Sequence, residues 1–248
     1  MLSLATGLVL VIGLLLGMLG GGGSVLLVPV LLYVLGLEPK SALLTSQLIM
    51  AVTCSITVGV HARAGRVVWR TGAVFGLSGM LGAYLGGRMA RYVPGKLLLL
   101  GFIALMLVSA LRMLRVPPAQ SRAAIGRRKN LHQGVVLGLP TGFVSGLLGI
   151  GGGFIIVPVL TLLGGLAIEQ AVGTSLLIIA LQSLAGSVGY LGCATVRWPV
   201  VAVLATAMAL SSVLGGLLTQ RLPAARLRRL FAGLLIGVAV LMLQKSLW

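Results

Sequence analysis

From Met1 to Leu37 the chain runs 37 residues without an Asp, Glu, Lys or Arg, and from Asn130 to Ile168 it does so for 39. Six more such stretches cover Ser41 to Ala62, Thr71 to Gly87, Leu97 to Leu111, Gln170 to Val196, Trp198 to Gln220 and Leu230 to Gln244. A bilayer core about 30 Å thick takes roughly 20 apolar residues per helix, and a few fewer where a flanking Arg or Lys reaches the surface. Eight hydrophobic segments follow, two of them too long for one helix. Lipid-facing strands would alternate in polarity rather than stay apolar throughout. The expected class is therefore an all-α integral membrane protein. Composition agrees, since 58% of the 248 residues are hydrophobic, 8% are charged and the mean hydropathy is +1.15; soluble domains carry about 25% charge.

The first run is apolar from Leu2 to Leu19, but no Lys or Arg precedes Lys40 and no A-x-A-like cleavage site follows. A secretory leader needs both, so the segment is expected to be retained. Cys54 and Cys193 have no ligand spacing and are expected to be buried free thiols. The net charge of +17 lies between the apolar segments: Arg63, Arg66 and Arg70 in one connection, six basic residues from Arg112 to Lys129, and Arg221, Arg226, Arg228 and Arg229 in another. Cytoplasmic loops of membrane proteins carry such an excess. The expected partners are the lipid bilayer, its anionic lipids and a small anionic substrate, and not nucleic acid.

An internal repeat organises the chain. Setting Leu19 to Leu31 (LGGGGSVLLVPVL) over Leu148 to Leu160 (LGIGGGFIIVPVL) gives eight identities in thirteen positions at a shift of 129. The same shift pairs Ala42 with Ala171, Thr45 and Ser46 with Thr174 and Ser175, and Trp69 with Trp198. Further on it pairs Gly86 and Gly87 with Gly215 and Gly216, Pro94 with Pro223, Phe102 with Phe231, and Met113 with Met242. Residues 1–114 and 131–248 thus form two homologous four-segment halves. Residues 115–130, basic and with Pro117 and Pro118, are the linker.

If every segment crosses once, the halves share one orientation and the basic residues divide eleven against eight. If the first segment of each half enters and returns as a broken hairpin, the halves are inverted and the division is thirteen against six. The charge bias of cytoplasmic loops favours inverted repeats. In that arrangement Leu2 to Leu19 runs inward, the glycines unwind, and Val25 to Leu35 returns; Leu131 to Leu148 and Phe154 to Leu163 do the same. Non-helical backbone at membrane depth must be buried in protein or line a cavity. Glycine lets backbone approach a ligand, and the following helix points free N–H groups at the break. Two such breaks, Gly20, Gly21, Gly22, Gly23 and Ser24 with Gly149, Gly151, Gly152 and Gly153, can bind an anion without a charged side chain. The competing reading is that these glycines only let helices pack closely.

The duplicated G-x-G-G-G-x-x-x-V-P-x-L pattern, matched by Gly149 to Leu160 and echoed by Gly20 to Leu31, resembles the TauE/SafE family of sulfite exporters. The Thr-Ser pairs, the stretch HARAGRVVW from His61 to Trp69 and LGGRMARYVP after the third segment add to the resemblance. Three positions depart from a strict repeat: Gly21 stands opposite Ile150, Ser24 opposite Gly153, and His61 opposite Tyr190. The resemblance implies about eight membrane segments and export of sulfite, a sulfonate or a related small anion, in the cytoplasmic (inner) membrane of a bacterium or archaeon.

Other side chains are weighed from their surroundings. Thr45, Ser46, Thr174 and Ser175 either bond back to their own helices or donate to the oxyanion. Gln47 and Gln182, amides within apolar stretches, are expected to face the bundle interior, where a site or supporting role is open to them. His61 could couple protons, although its place beside Arg63 favours a solvated interfacial histidine. Trp69 and Trp198 suit an aromatic belt. Glu38 and Glu169 are the only carboxylates and are expected in loops. Their scarcity argues against a carboxylate acid/base pair or an oxygen-ligand metal site, and no Cys/His cluster offers zinc ligands. No catalytic residue, metal or cofactor is expected. The alternatives to a transporter are a membrane enzyme acting on a lipid phosphate and a non-transporting membrane subunit.

Overall fold

The computed structural model describes residues 2–20, 22–115, 131–162, 165–218, 233 and 236–244. Among the described residues there is no strand, and the chain is all helix, turn and short connection. The helices are α1 (Leu2–Leu19), α2 (Leu27–Tyr33), α3 (Pro39–Arg63), α4 (Trp69–Met89), α5 (Gly95–Arg115), α6 (Leu131–Leu148), α7 (Gly153–Leu162), α8 (Ile168–Tyr190) and α9 (Trp198–Leu218). A 3-10 turn, Gly22–Leu26, joins α1 to α2, and residues 236–244 are helical.

Four of these helices, α1, α3, α8 and α9, are long and apolar enough to cross a membrane. α4 is as long as α9, but glycine dilutes its hydropathy. Each half opens on a long helix, a break at the glycines and a short second helix, as the sequence predicts. Both short helices carry the repeated proline, Pro29 in α2 and Pro158 in α7. Pro29 sits in the first turn of α2, where an N–H has no helical partner anyway.

The main packing runs between the halves. α4 lies against α6 and α8, α9 lies against α1 and α3, and α3 crosses α8. Under the 129-residue shift the first pair of contacts becomes the second, and the α3–α8 crossing maps onto itself. Small residues let these backbones meet. A Cβ added at Gly146 would lie 2.0 Å from the Ala83 carbonyl oxygen, and one at Gly17 would lie 2.0 Å from that of Ser212; both partners of each pair are repeat equivalents. Such close approach gives dispersion contact where lipid offers no hydrophobic drive for helix association.

The outer surface is apolar at helical spacing, with Leu77, Leu81 and Leu85 on α4 and Leu210, Leu214 and Leu217 on α9 all exposed. Those stripes suit hydrocarbon and would be costly in water. Trp69 and Trp198 stand exposed at the first residues of α4 and α9, as an aromatic belt requires. Two expectations change here. Glu169 lies in the first turn of α8 rather than a loop, where a carboxylate complements the positive helix end. Cys193 is half-buried in the turn after α8, because that helix ends at Tyr190; Cys54 is buried as expected.

Candidate functional site

The second break is held open by backbone conformation. Gly149, Gly151 and Gly152 have φ of +66°, +70° and +71°, a region that side chains with a Cβ disfavour. The Ile150 N–H reaches back to the Ser145 carbonyl, and the Gly152 carbonyl accepts from Ile155 and Ile156 to start α7. The N–H groups of Gly151, Gly152 and Gly153 have no hydrogen-bond partner among the described residues. Free N–H groups at the start of a helix carry its positive partial charge.

Polar side chains without partners gather around this backbone. Gln182 on α8 is fully buried, and neither its amide oxygen nor its amide nitrogen has a partner among the described residues. Its amide lies against Gly79 on α4, where an added Cβ would sit 2.1 Å from Nε2, and against Gly152, where one would sit 3.4 Å from Oε1. The neighbouring Ser183 hydroxyl also lacks a partner and would lie 3.4 Å from a Cβ at Gly151; Met50 and Ile179 complete that wall. Gln47 on α3 donates through Nε2 to the Gly146 carbonyl at 2.9 Å, which leaves its Oε1 unpartnered. Thr53 on α3, buried and without a hydroxyl partner among the described residues, is the repeat equivalent of Gln182 and so belongs with the first break rather than with this cluster. Each buried polar group left unpaired costs about 1–3 kcal/mol. Such a concentration at one place marks a site that something else fills.

The first break is built differently. Gly20 keeps the left-handed conformation at φ +65°, but Gly22, Gly23 and Ser24 wind into the 3-10 turn instead of unwinding. Gly23 packs on α1, where an added Cβ would lie 2.6 Å from the Ile12 carbonyl oxygen, and that contact keeps the chain coiled. Ser24 is buried in the turn, and Gly21 lies outside the described residues. α7, which follows the second break, touches the 3-10 turn of the first.

The hydroxyl pairs brace these breaks across the molecule. Ser46 on α3 donates to the Gly149 carbonyl or to that of Leu43, and Ser175 on α8 donates to the Gly20 carbonyl at 2.6 Å or to that of Val172. Thr174 accepts the Val68 N–H at 3.0 Å and so anchors the start of α4. Thr45 is buried on α3. His61 corrects its expectation: it is buried, not solvated, because Gly216 on α9 leaves room for the ring at 3.0 Å from an added Cβ. Its repeat equivalent Tyr190 donates to the Leu147 carbonyl at 2.6 Å. Thr53 and Ser183 were not singled out by the sequence, which offers a lone Thr and a lone Ser in apolar helices; the shift that pairs Thr53 with Gln182 was the available signal.

Residues 5–242 match the family model described as Sulfite exporter TauE/SafE. The chain is 36% identical to a probable membrane transporter protein of Xylella fastidiosa strain Temecula1 over 246 residues, covering 95% of this chain and 92% of that one. A probable membrane transporter protein of Methanocaldococcus jannaschii is 26% identical over 255 residues, covering 95% and 94%. No solved structure matches.

Proposed function

The chain belongs to the sulfite exporter TauE/SafE family, and from that membership we propose that it exports a small sulfur-containing oxyanion such as sulfite or an organosulfonate. Family and relatives make it a membrane transporter and not an enzyme, integral to the cytoplasmic membrane. The anion exchanges water for the backbone N–H groups of the glycine breaks. The observation that carries this reading is the second break: three unpartnered N–H groups beside the unpartnered Gln182 and Ser183. These donors are neutral, so the anion is held by dipoles and released without breaking an ion pair.

We read the halves as inverted repeats. The broken hairpins and the thirteen-to-six division of basic residues support this. The two breaks then meet near the midplane, and movement of one half against the other exposes them to either side. A membrane potential negative inside favours efflux by about 2.3 kcal/mol per charge per 100 mV.

Flux of radiolabelled sulfite into proteoliposomes holding the purified protein tests the proposal, with sulfate, thiosulfate, sulfoacetate and acetate as unlabelled competitors. Saturable uptake that acetate does not inhibit is expected, and whichever sulfur oxyanion inhibits it names the group the site reads. Gly152→Val, which forces a side chain on a left-handed residue in the break, is expected to lower flux at least tenfold in protein that remains monodisperse. Undiminished flux in that variant would remove the break from the mechanism.

A further inference from the structure

The unpartnered atoms at the second break are not all donors. Gln182 Nε2, the Ser183 hydroxyl and the glycine N–H groups can donate to an anion, but the amide oxygens of Gln182 and Gln47 can only accept. Gln47 cannot turn its amide over to solve this, because its nitrogen is held by the Gly146 carbonyl and its oxygen lies against Gly186, 2.2 Å from an added Cβ. Gly146 and Gly152 flank the same break, and Gly186 lies one helical turn beyond Gln182. The cluster therefore demands a ligand that both accepts and donates.

Charge points the same way. Every described Lys and Arg lies at a helix end or in a connection, so none of the described cations stands at the break. Without one, the cost of taking an ion out of water scales with the square of its charge, and a dianion is penalised about four times as heavily as a monoanion. A fully deprotonated oxyanion would also set its charge against two amide oxygens. A singly protonated one turns its O–H to an amide oxygen and its remaining oxygens to the donors.

Resting on the transport reading above, we infer that the site takes the singly protonated monoanion of an oxyanion, so that each anion carried brings one proton with it. For sulfite, partly protonated near neutral pH, the carried species is hydrogen sulfite. Sulfonates, which have no proton to offer, are the poorer ligands. The titratable residues on the helices around Gln182 are Lys40, Cys54, His61 and Arg63 on α3, Arg70, Tyr84 and Arg88 on α4, His132 on α6, and Glu169 and Tyr190 on α8. All but Cys54, next to Thr53, lie toward helix ends, and Tyr190 is bonded to Leu147.

The test is initial sulfite uptake in proteoliposomes at equal pH on both sides, one unit below and one unit above the second ionisation of sulfite. Methanesulfonate, of like size and permanently deprotonated, serves as competitor. The KM in total sulfite should be about tenfold higher at the upper pH than at the lower while the KM in hydrogen sulfite stays constant. The Ki of methanesulfonate should be at least tenfold weaker than the KM for hydrogen sulfite and flat with pH, which separates ligand protonation from titration of the protein. Gln182→Met, of similar volume, should raise the KM for hydrogen sulfite and bring methanesulfonate within a few fold of it. A KM in total sulfite independent of pH, or methanesulfonate competing as well as hydrogen sulfite, overturns the inference while transport stands. Absence of saturable uptake at either pH overturns the transport reading itself.

Discussion

Ser46 and Ser175 show how much one hydroxyl decides here. Each takes a carbonyl that the glycine break strands inside the protein, Gly149 for one and Gly20 for the other, and each reaches it from the opposite half. Removing either leaves a buried acceptor unpaired at about 1–3 kcal/mol. Ser46→Ala and Ser175→Ala are therefore expected to lower the thermal unfolding midpoint in detergent, by similar amounts because they are repeat equivalents; a shift in only one would break that equivalence. The Thr-Ser pairs were legible in the sequence as a repeated feature, but their partners were not. A serine in an apolar helix does not announce a carbonyl over 100 residues away. The same limit hid the burial of His61, which depends on the missing side chain of Gly216 on α9. It also hid Thr53, which the 129-residue shift sets opposite Gln182 but whose burial without a partner the sequence does not show.

At the level of elements, the helices and both interruptions could be read directly, because charge-free length, glycine runs and proline act locally. The difference between the two interruptions could not, since it depends on what each glycine packs against: Gly23 meets α1 backbone, while Gly152 meets the Ser145 side chain and the Gln182 amide. Helix spacing follows a similar rule. A Cβ at Gly142 would fall 2.0 Å from the Gly79 carbonyl oxygen, and one at Gly146 would fall 2.0 Å from that of Ala83, so Ala at either position must push α6 off α4. Gly7 and Gly59 have nothing within 4 Å of an added Cβ. Gly146→Ala is expected to cut the yield of monodisperse protein severely, whereas Gly59→Ala leaves it unchanged or slightly better, by up to about 1 kcal/mol of helix propensity. Size-exclusion profiles of the two variants, purified in parallel, check this.

For the whole molecule, the repeat was legible at a fixed shift, and its orientation is the part that topology must supply. Cys193, half-buried in the turn after α8, is a native probe of it, and its repeat equivalent is Ala64, in the turn after α3. In a Cys54→Ala background, inverted halves place these two positions on opposite faces. Cys193 should react with an impermeant maleimide from outside intact cells, and Ala64→Cys with Cys193 removed should react only in opened ones. Labelling of both from one side would make the repeats parallel.

The packing of α1 against α9, far along the chain, sets a timetable for synthesis. The last residue of α1 is 19 and the first of α9 is 198, so 179 residues separate a helix from its partner. At about 5–20 residues per second, α1 resides in the bilayer for roughly 9–36 s before that partner is made. α6 follows α4 after only 42 residues, counted from 89 to 131, and the wait is roughly 2–8 s. Throughout the longer interval Gly13 and Gly17, shaped to meet another backbone, face lipid or a chaperone of the insertion machinery. α1 thus enters the membrane long before the helix that holds it in place.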